Sequence, residues 1–239
     1  MDKFNIGHHI SQQFNAELED IRTRVMQMGG LVEQQLRDAV KSLVEMDEAL
    51  AEIVVTNDYK INALEVSIDE ECTQILARRQ PTASDLRLVI AVIKTITDLE
   101  RIGDEAERIG RMAMRFSSEK GSTRMLMGIQ HLGEHVINML HDSLDAFART
   151  DTESALTVAR SDAKADQEYE SILRNVMTYM MEDPRSIPLM VDIMWSARAL
   201  ERIGDRSQNI CEYILYLVKG KDVRHTSLDK VEKDARGEN

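Results

Sequence analysis

Two identical hexapeptides, LERIGD, each place a glutamate and an aspartate four residues apart. The first pair is Glu100 and Asp104, and the second is Glu201 and Asp205. Residues four apart in a helix lie one above the other on one face, so each pair presents two carboxylates together. Such a pair can hold one metal ion or bridge two, and oxygen-only ligands suit hard or borderline ions such as Mg²⁺, Mn²⁺ or Fe³⁺.

Further acidic residues precede each hexapeptide at helical spacing. Those that share one helix face, together with one amide, are Asp58, Asn62, Glu65 and Asp69 before the first hexapeptide, and Asp162 and Asp166 before the second. If the helices that carry them pack beside the hexapeptide helices, each half of the chain acquires four or more oxygen ligands. The pattern therefore predicts two oxygen-ligand metal sites.

The hexapeptide carboxylates continue the apolar stripe of their helices. With Val89 as the origin and about 100° per residue, Glu100 falls near 20° and Asp104 near 60°, so both point inward. Unpaired carboxylates on an inward face are costly, and they need a basic partner, a proton or a metal. Gly103 and Gly204 repeat within the motif although glycine costs a helix roughly 1 kcal/mol, which predicts a close approach to the backbone.

The hexapeptides belong to a longer internal repeat whose offset stays between 101 and 104 residues. The segment LRDAVKSLVEMD (36–47) matches LHDSLDAFARTD (140–151), and Asp58 aligns with Asp162. Apolar periodicity predicts three helices in each copy, at 11–46, 49–78 and 83–116, then at 124–149, 151–181 and 185–218. Asp47 is predicted to cap the start of the second helix.

Three amphipathic helices joined by short turns form an antiparallel bundle. We therefore predict an all-α fold of two tandem three-helix bundles related by internal duplication. The predicted domains are 1–119 and 120–219, and the charged tail 220–239 is predicted to be disordered. A single six-helix coiled coil fits less well because the repeats contain heptad breaks.

Composition excludes several classes of protein. The 239 residues carry a net charge of −12, which would repel a nucleic-acid backbone. The two cysteines lie in helical patterns and give no disulfide framework. No signal peptide and no apolar run near the roughly 18 residues of a membrane span are found. We expect a soluble cytoplasmic protein whose membrane contact goes through a partner.

The duplicated LERIGD, the RQPTASDLR entry to the third helix and the matching TYMMEDPR closely resemble the PhoU family. The resemblance covers nearly the whole chain apart from the tail. It implies two three-helix bundles and multinuclear clusters of Fe, Mn, Mg or Zn on E/DxxxD motifs. Carried over by position, the metal ligands would be Glu100, Asp104, Glu201 and Asp205, with Asp58, Asp162 and Asp166 as co-ligands.

The resemblance also implies a function. Members are phosphate-transport accessory proteins without catalytic activity, and often dimers. They relay the state of the Pst phosphate ABC transporter, through its ATPase subunit, to the PhoR sensor kinase. The implied outcome is repression of the phosphate regulon and restraint of uptake when phosphate is plentiful. A homodimeric cytoplasmic protein attached peripherally to inner-membrane complexes is expected. We expect its docking surface at one end of both bundles, at Arg79, Asp85, Arg87 and Arg185.

Two alternatives stay open from the residues alone. A ferritin-like di-iron oxidase requires Glu-x-x-His motifs, and no glutamate of this chain has a histidine three residues later. His131 and His135 are four residues apart and could in principle bind a metal. The second alternative is a metal-free helical adaptor whose acidic faces bind basic patches on partners.

Overall fold

The computed structural model describes residues 12–116 and 123–220, and this part of the chain is helical with no strand. Its helices are α1 (Gln12–Glu45), α2 (Glu48–Asn57), α3 (Tyr59–Arg79), α4 (Ala83–Phe116), α5 (Thr123–Arg149), α6 (Thr152–Glu182) and α7 (Ile187–Lys219). A short 3-10 helix, Pro184–Ser186, leads into α7. The predicted domain boundary at 119/120 and the tail beyond residue 220 lie outside the described residues.

The helices form the two predicted bundles, with one local difference. α1 to α4 pack together as the first bundle and α5 to α7 as the second. The single helix predicted over 49–78 is interrupted at Asp58, where the Ile61 N–H donates to the Asp58 carbonyl at 2.9 Å. This bond between residues three apart tightens the turn. The equivalent helix α6 runs through Asp162 without interruption.

Equivalent aspartates start the second helix of each bundle. The Asp47 carboxylate accepts from the Leu50 N–H at 3.0 Å, which confirms the predicted cap. Asp151, which lies 104 residues later, accepts from the N–H groups of Glu153 and Ser154. A side-chain cap of this kind contributes typically about 1 kcal/mol. Because both helices start at equivalent positions, the acidic residues downstream keep the same register.

Two glycines show how the bundles are related. A Cβ added at Gly29 would lie 2.8 Å from Leu144, and one added at Gly133 would lie 2.7 Å from Val40. Gly29 and Gly133 are equivalent in the repeat, and so are Val40 and Leu144, because both pairs are 104 residues apart. A rotation that places each bundle on the other therefore converts the Gly29–Leu144 contact into the Gly133–Val40 contact. This reciprocity is what a pseudo-twofold axis between the bundles requires.

The bundles meet through equivalent helices that run antiparallel. α1 packs on α5, and α4 packs on α7. Arg87, near the start of α4, donates to the carbonyl of Leu217 near the end of α7. Arg115, at the end of α4, pairs with Asp192 near the start of α7 at 3.0 Å. Equivalent ends of the two bundles therefore lie at opposite ends of the molecule.

Candidate functional site

The first hexapeptide faces the junction of α2 and α3. Asp58 is buried there, with Oδ1 3.3 Å from the position that a Cβ at Gly103 would take. Gln35 Nε2 donates to Asp58 Oδ1 at 3.0 Å, and Asn62 Nδ2 donates to Oδ2 at 3.0 Å. The group that approaches Gly103 closely is thus the Asp58 carboxylate, and each of its oxygens accepts a hydrogen bond from a side-chain amide.

Glu100 and Asp104 lie among other acidic side chains. Burial raises the pKa of Glu100, and the charges of Asp104 and Glu65 raise it further. Burial, followed by the charge of Asp58, raises the pKa of Asp104. Glu65, which the sequence places on the same face as Asp58, has a pKa raised by burial and by neighbouring aspartates. These carboxylates are close enough to resist ionisation together.

The second hexapeptide repeats this arrangement with α6. The Oδ1 of Asp162 lies 3.2 Å from the position that a Cβ at Gly204 would take. Burial and then the charges of Asp205, Asp166 and Glu201 raise the pKa of Asp162 to about 7. The structure therefore brings together the four carboxylates that the sequence assigned to the second site.

The two sites differ in what surrounds the buried aspartate. Met139 and Asp166 take the positions, 104 residues later, of the amides Gln35 and Asn62. The Met139 methyl group lies 3.8 Å from the added Cβ at Gly204. The second site thus has a thioether and a further carboxylate in place of two hydrogen-bond donors, so its negative charge is less compensated. The sequence pattern did not indicate Gln35 as a partner of Asp58, although the offset of the repeat aligns it with Met139.

Glu201 has an incomplete set of partners. Its Oε1 accepts from Arg198 Nη1 at 2.5 Å. Its Oε2 is buried and has no hydrogen-bond partner among the described residues. A buried polar atom without a partner typically costs about 1–3 kcal/mol. A cation beside Glu201 and Asp205 would offset this cost and the repulsion between the two carboxylates.

Metal-binding geometry is not complete in either site. Within residues 12–116 and 123–220, no three His, Cys, Asp or Glu side chains are placed so that they could hold a metal ion as they stand. The donor chemistry still fits a hard cation, because a carboxylate oxygen lies beside each glycine and each site contains crowded carboxylates with a raised pKa. Asp104 and Asp205 are exposed, so their side chains can rotate toward an ion.

The residues predicted to dock partners do not form one surface. Arg79, Asp85 and Arg87 lie where α3 ends and α4 begins, whereas Arg185 precedes α7. Since α4 and α7 are antiparallel, these groups sit at opposite ends of helices that span roughly 50 Å. The expectation of a shared docking end is therefore wrong. It treated equivalent positions in the repeat as neighbours, but the pseudo-twofold axis separates them.

The predicted docking residues also differ in how free they are. Arg79 makes two hydrogen bonds to the Glu17 carboxylate, at 2.6 and 2.9 Å. Arg87 donates to a carbonyl in the last turn of α7, so it joins the two bundles. The Arg185 side chain is 92% exposed and pairs with Asp183 in the same turn. Of these arginines, Arg185 is the one whose side chain is presented to solvent.

The histidine pair on α5 engages a carboxylate. His135 Nδ1 lies 3.2 Å from one oxygen of Glu168 on α6, and His131 Nδ1 lies 3.7 Å from the other. These contacts bind α5 to α6 within the second bundle. They do not extend to the hexapeptide carboxylates, so they give no support to the di-iron oxidase interpretation.

In the part of the chain that the structure describes, no helix is both long and apolar enough to cross a membrane. The model of the PhoU domain family matches the chain twice, at residues 25–113 and 129–214. The two matches fall on either side of the predicted domain boundary, one in each bundle.

Curated relatives cover the chain almost completely. The phosphate-specific transport system accessory protein PhoU of Serratia marcescens is 55% identical, over 98% of this chain and 96% of its own length. Its counterpart in Escherichia coli (strain K12) is 54% identical with the same coverage.

Solved structures have the same fold. The crystal structure of PhoU from Pseudomonas aeruginosa superposes with a TM-score of 0.85 at 52% identity, covering 87% of this chain and all of that one. The phosphate transport system regulatory protein PhoU from Streptococcus pneumoniae gives 0.81 at 30% identity, covering 88% and 99%.

Proposed function

Because the chain belongs to the PhoU family, we propose that it is an accessory regulator of a phosphate-specific transport system. It couples the ATPase subunit of the Pst transporter to the PhoR sensor kinase. It represses the phosphate regulon and restrains uptake when phosphate is plentiful, without catalysing a reaction. The observation that carries the proposal is coverage: relatives named as accessory proteins of this system align over 98% of the chain and 96% of their own length.

A reporter experiment tests the regulatory role. Deleting the gene is expected to raise expression from a phosphate-regulon promoter in phosphate-rich medium, and the wild-type gene is expected to restore repression. Pull-down with the transporter ATPase subunit and with the kinase tests the two contacts separately. Unchanged reporter expression in the deletion strain would contradict the proposed role.

We also propose that each acidic site holds a multinuclear cluster of Fe, Mn, Mg or Zn. The ligands are Glu100, Asp104 and Asp58 in the first site, and Glu201, Asp205, Asp162 and Asp166 in the second. Crowded carboxylates with raised pKa support the proposal, as does the buried oxygen of Glu201 that lacks a partner. A cation would stabilise the ionised carboxylates and so offset the repulsion between them.

Metal analysis after loading with each ion tests these clusters. The double variant Glu100→Ala with Glu201→Ala is expected to lose most of the bound metal and the thermal stabilisation that metal gives. The control Glu134→Ala with Glu170→Ala removes the same charge from exposed helix faces outside both sites. Equal metal content in the two double variants would contradict the assignment.

The metal-free adaptor remains the second candidate. It is favoured by the amide donors at Asp58 and by the arginine at Glu201, since these satisfy part of the acidic charge without an ion. It predicts no stoichiometric metal with any of the four ions. It also predicts that partner binding survives the Glu100→Ala and Glu201→Ala changes.

For partner docking, we propose two separate surfaces: one at the junction of α3 and α4, with Arg79, Asp85 and Arg87, and one at Arg185 before α7. Arg185→Glu is expected to weaken one partner contact without changing stability, because its side chain is almost fully exposed. Arg87→Glu is expected to lower stability as well, because it removes the hydrogen bond to the end of α7. Light scattering tests the proposed homodimer. If neither Arg185→Glu nor Arg87→Glu weakens the binding of a partner, neither surface belongs to the interface with that partner.

A further inference from the structure

A groove runs along α7 beside the second acidic site. It encloses about 450 Å³ and is lined by Arg198, Arg202, Arg206, Gln208 and Asn209, together with Asp205 and Glu212. A volume of this size suits a small molecule. We infer that this groove binds a phosphorylated small molecule that carries two or more phosphoryl groups. The inference goes beyond the proposed function and depends on neither metal nor partner.

The three arginines are spaced to hold adjacent anionic groups. Arg198, Arg202 and Arg206 follow each other at intervals of four residues, so neighbouring arginines are roughly 6 Å apart along the helix axis. A guanidinium presents five N–H groups in a planar fork that matches phosphate oxygens. Gln208 and Asn209 add amide donors on the same groove. The ligand that matches this lining is a short chain of phosphoryl groups.

Each guanidinium is fixed in place by one ion pair and keeps other donors. Arg202 Nη1 donates to Glu105 Oε1 at 2.8 Å, and Arg206 Nη1 donates to Asp98 Oδ1 at 2.9 Å, both across to α4. Each of these bonds uses one nitrogen of the guanidinium. Arg206 Nε is buried and has no acceptor among the described residues. Fixed donors lose less entropy when a ligand binds, so the ion pairs prepare the groove for an anion.

The arginine run is particular to the second copy of the repeat. Positions 101 residues earlier on α4 are occupied by Thr97, Arg101, Glu105, Glu107 and Arg108. Only Arg202 keeps an arginine, Arg101, at the equivalent position, so the charge of the groove is not a by-product of duplication. Around the axis of α7, at about 100° per residue, the acidic lining residues Asp205 and Glu212 lie on one side of Arg198. Arg202 and Arg206 lie on the other side. The anion is therefore expected on the side of Arg202.

Trp195 lies on the same side of α7 as Arg202 and Arg206. It is the single tryptophan of the chain and is 48% exposed. It lies within about 60° of Arg198 and one turn before it on α7. Its fluorescence is therefore a local reporter. Its exposed ring is also a surface on which a nucleobase can stack.

The test is a titration of metal-free, dialysed protein with inorganic pyrophosphate and tripolyphosphate, followed by Trp195 fluorescence and by calorimetry. Saturable binding is expected, tightest for tripolyphosphate and weakest for inorganic phosphate and sulfate. Arg198→Gln and Arg202→Gln should each weaken binding about tenfold, the size of one lost charge-assisted contact. ATP binding more tightly than tripolyphosphate would identify a nucleotide as the ligand, and equal affinity would identify a linear polyphosphate.

The matched controls are Arg101→Gln and Arg111→Gln, which remove the same charge from exposed positions on the equivalent helix, α4. They should change the affinity by less than about twofold. Arg206 is left unchanged because its substitution would break the buried pair with Asp98. The inference is overturned if calorimetry detects no saturable binding at millimolar pyrophosphate. It is also overturned if the α4 variants weaken binding as much as the α7 variants do.

Discussion

Replacing Asp162 with asparagine removes the carboxylate on which the negative charge of the second site converges. Burial and three neighbouring carboxylates raise its pKa from the ordinary 3.8 to about 7. Because the folded-state pKa is raised, ionisation destabilises the fold. The free energy of unfolding therefore falls as the pH rises from about 4, where the unfolded chain ionises, to about 7. Above that range it falls no further from this cause. Asp162→Asn is therefore expected to stabilise the metal-free protein at pH 8.

The magnitude follows from the pKa. A rise from 3.8 to about 7 corresponds to roughly 4 kcal/mol between the two protonation states. Asp162 is only partly buried, and water screens its neighbours, so about half of this is expected, or about 2 kcal/mol. For a chain of this length the melting temperature should rise by roughly 4–8 °C. The same change should weaken metal binding, because it removes a proposed ligand.

The assay is urea unfolding at pH 5 and pH 8 after removal of metal. The wild type should be less stable at pH 8, and Asp162→Asn should lose part of that difference. The matched control is Asp58→Asn in the first site. Its carboxylate accepts from Gln35 and Asn62, so an amide there leaves one donor without an acceptor. This change should cost about 1–3 kcal/mol.

The opposite sign of these two substitutions is the critical result. If Asp162→Asn lowers the free energy of unfolding at pH 8, crowding of carboxylates does not control the second site. If both variants are stabilised equally, the amide donors at Asp58 do not compensate its charge. Either result would refute the physical account of why the two copies differ.

Three further predictions concern the scaffold. Gly30→Ala should stabilise the protein by about 0.5–1 kcal/mol, because a Cβ there would lie in open space. Gly133→Ala should cost about 1–3 kcal/mol, because its Cβ would collide with Val40, and urea unfolding checks both changes. Asp98→Asn should lower stability by about 3 kcal/mol, because it leaves the half-buried Arg206 without its charge partner, and heat or urea unfolding measures the loss. Burial raises the pKa of the Cys72 thiol to about 12, so iodoacetamide at pH 8 should modify it only after unfolding, which mass spectrometry detects.

Local features of the sequence predicted the helices and the repeat well. Apart from the interruption at Asp58, apolar periodicity placed the helix limits within a few residues of those observed, and Asp47 caps α2 as expected. Gly103 and Gly204 indicated a close approach to the backbone, and a carboxylate oxygen lies there in both copies. Such features depend on neighbours within a few turns, which spacing alone reveals.

Contacts between helices could not be read in the same way. Gln35 is 23 residues from Asp58, and nothing in its local pattern shows that it donates to that carboxylate. The interruption of the second helix at Asp58 was also missed, because the sequence there keeps helical periodicity. The groove on α7 could not be predicted from the sequence. Arg198, Arg202 and Arg206 have the spacing of an ordinary exposed helix face, and only the packed helices around them form a groove.

The sequence by itself determined that the protein is a duplicated all-α chain with an acidic pair on the inward stripe of each copy. Only the tertiary structure decided how the copies face each other. The pseudo-twofold packing makes α4 and α7 antiparallel, so Arg87 and Arg185 lie at opposite ends of the molecule. The same packing surrounds Asp58 with amides and Asp162 with carboxylates. Identical hexapeptides thus become unequal sites, because the charge state of a carboxylate depends on neighbours brought close only by folding.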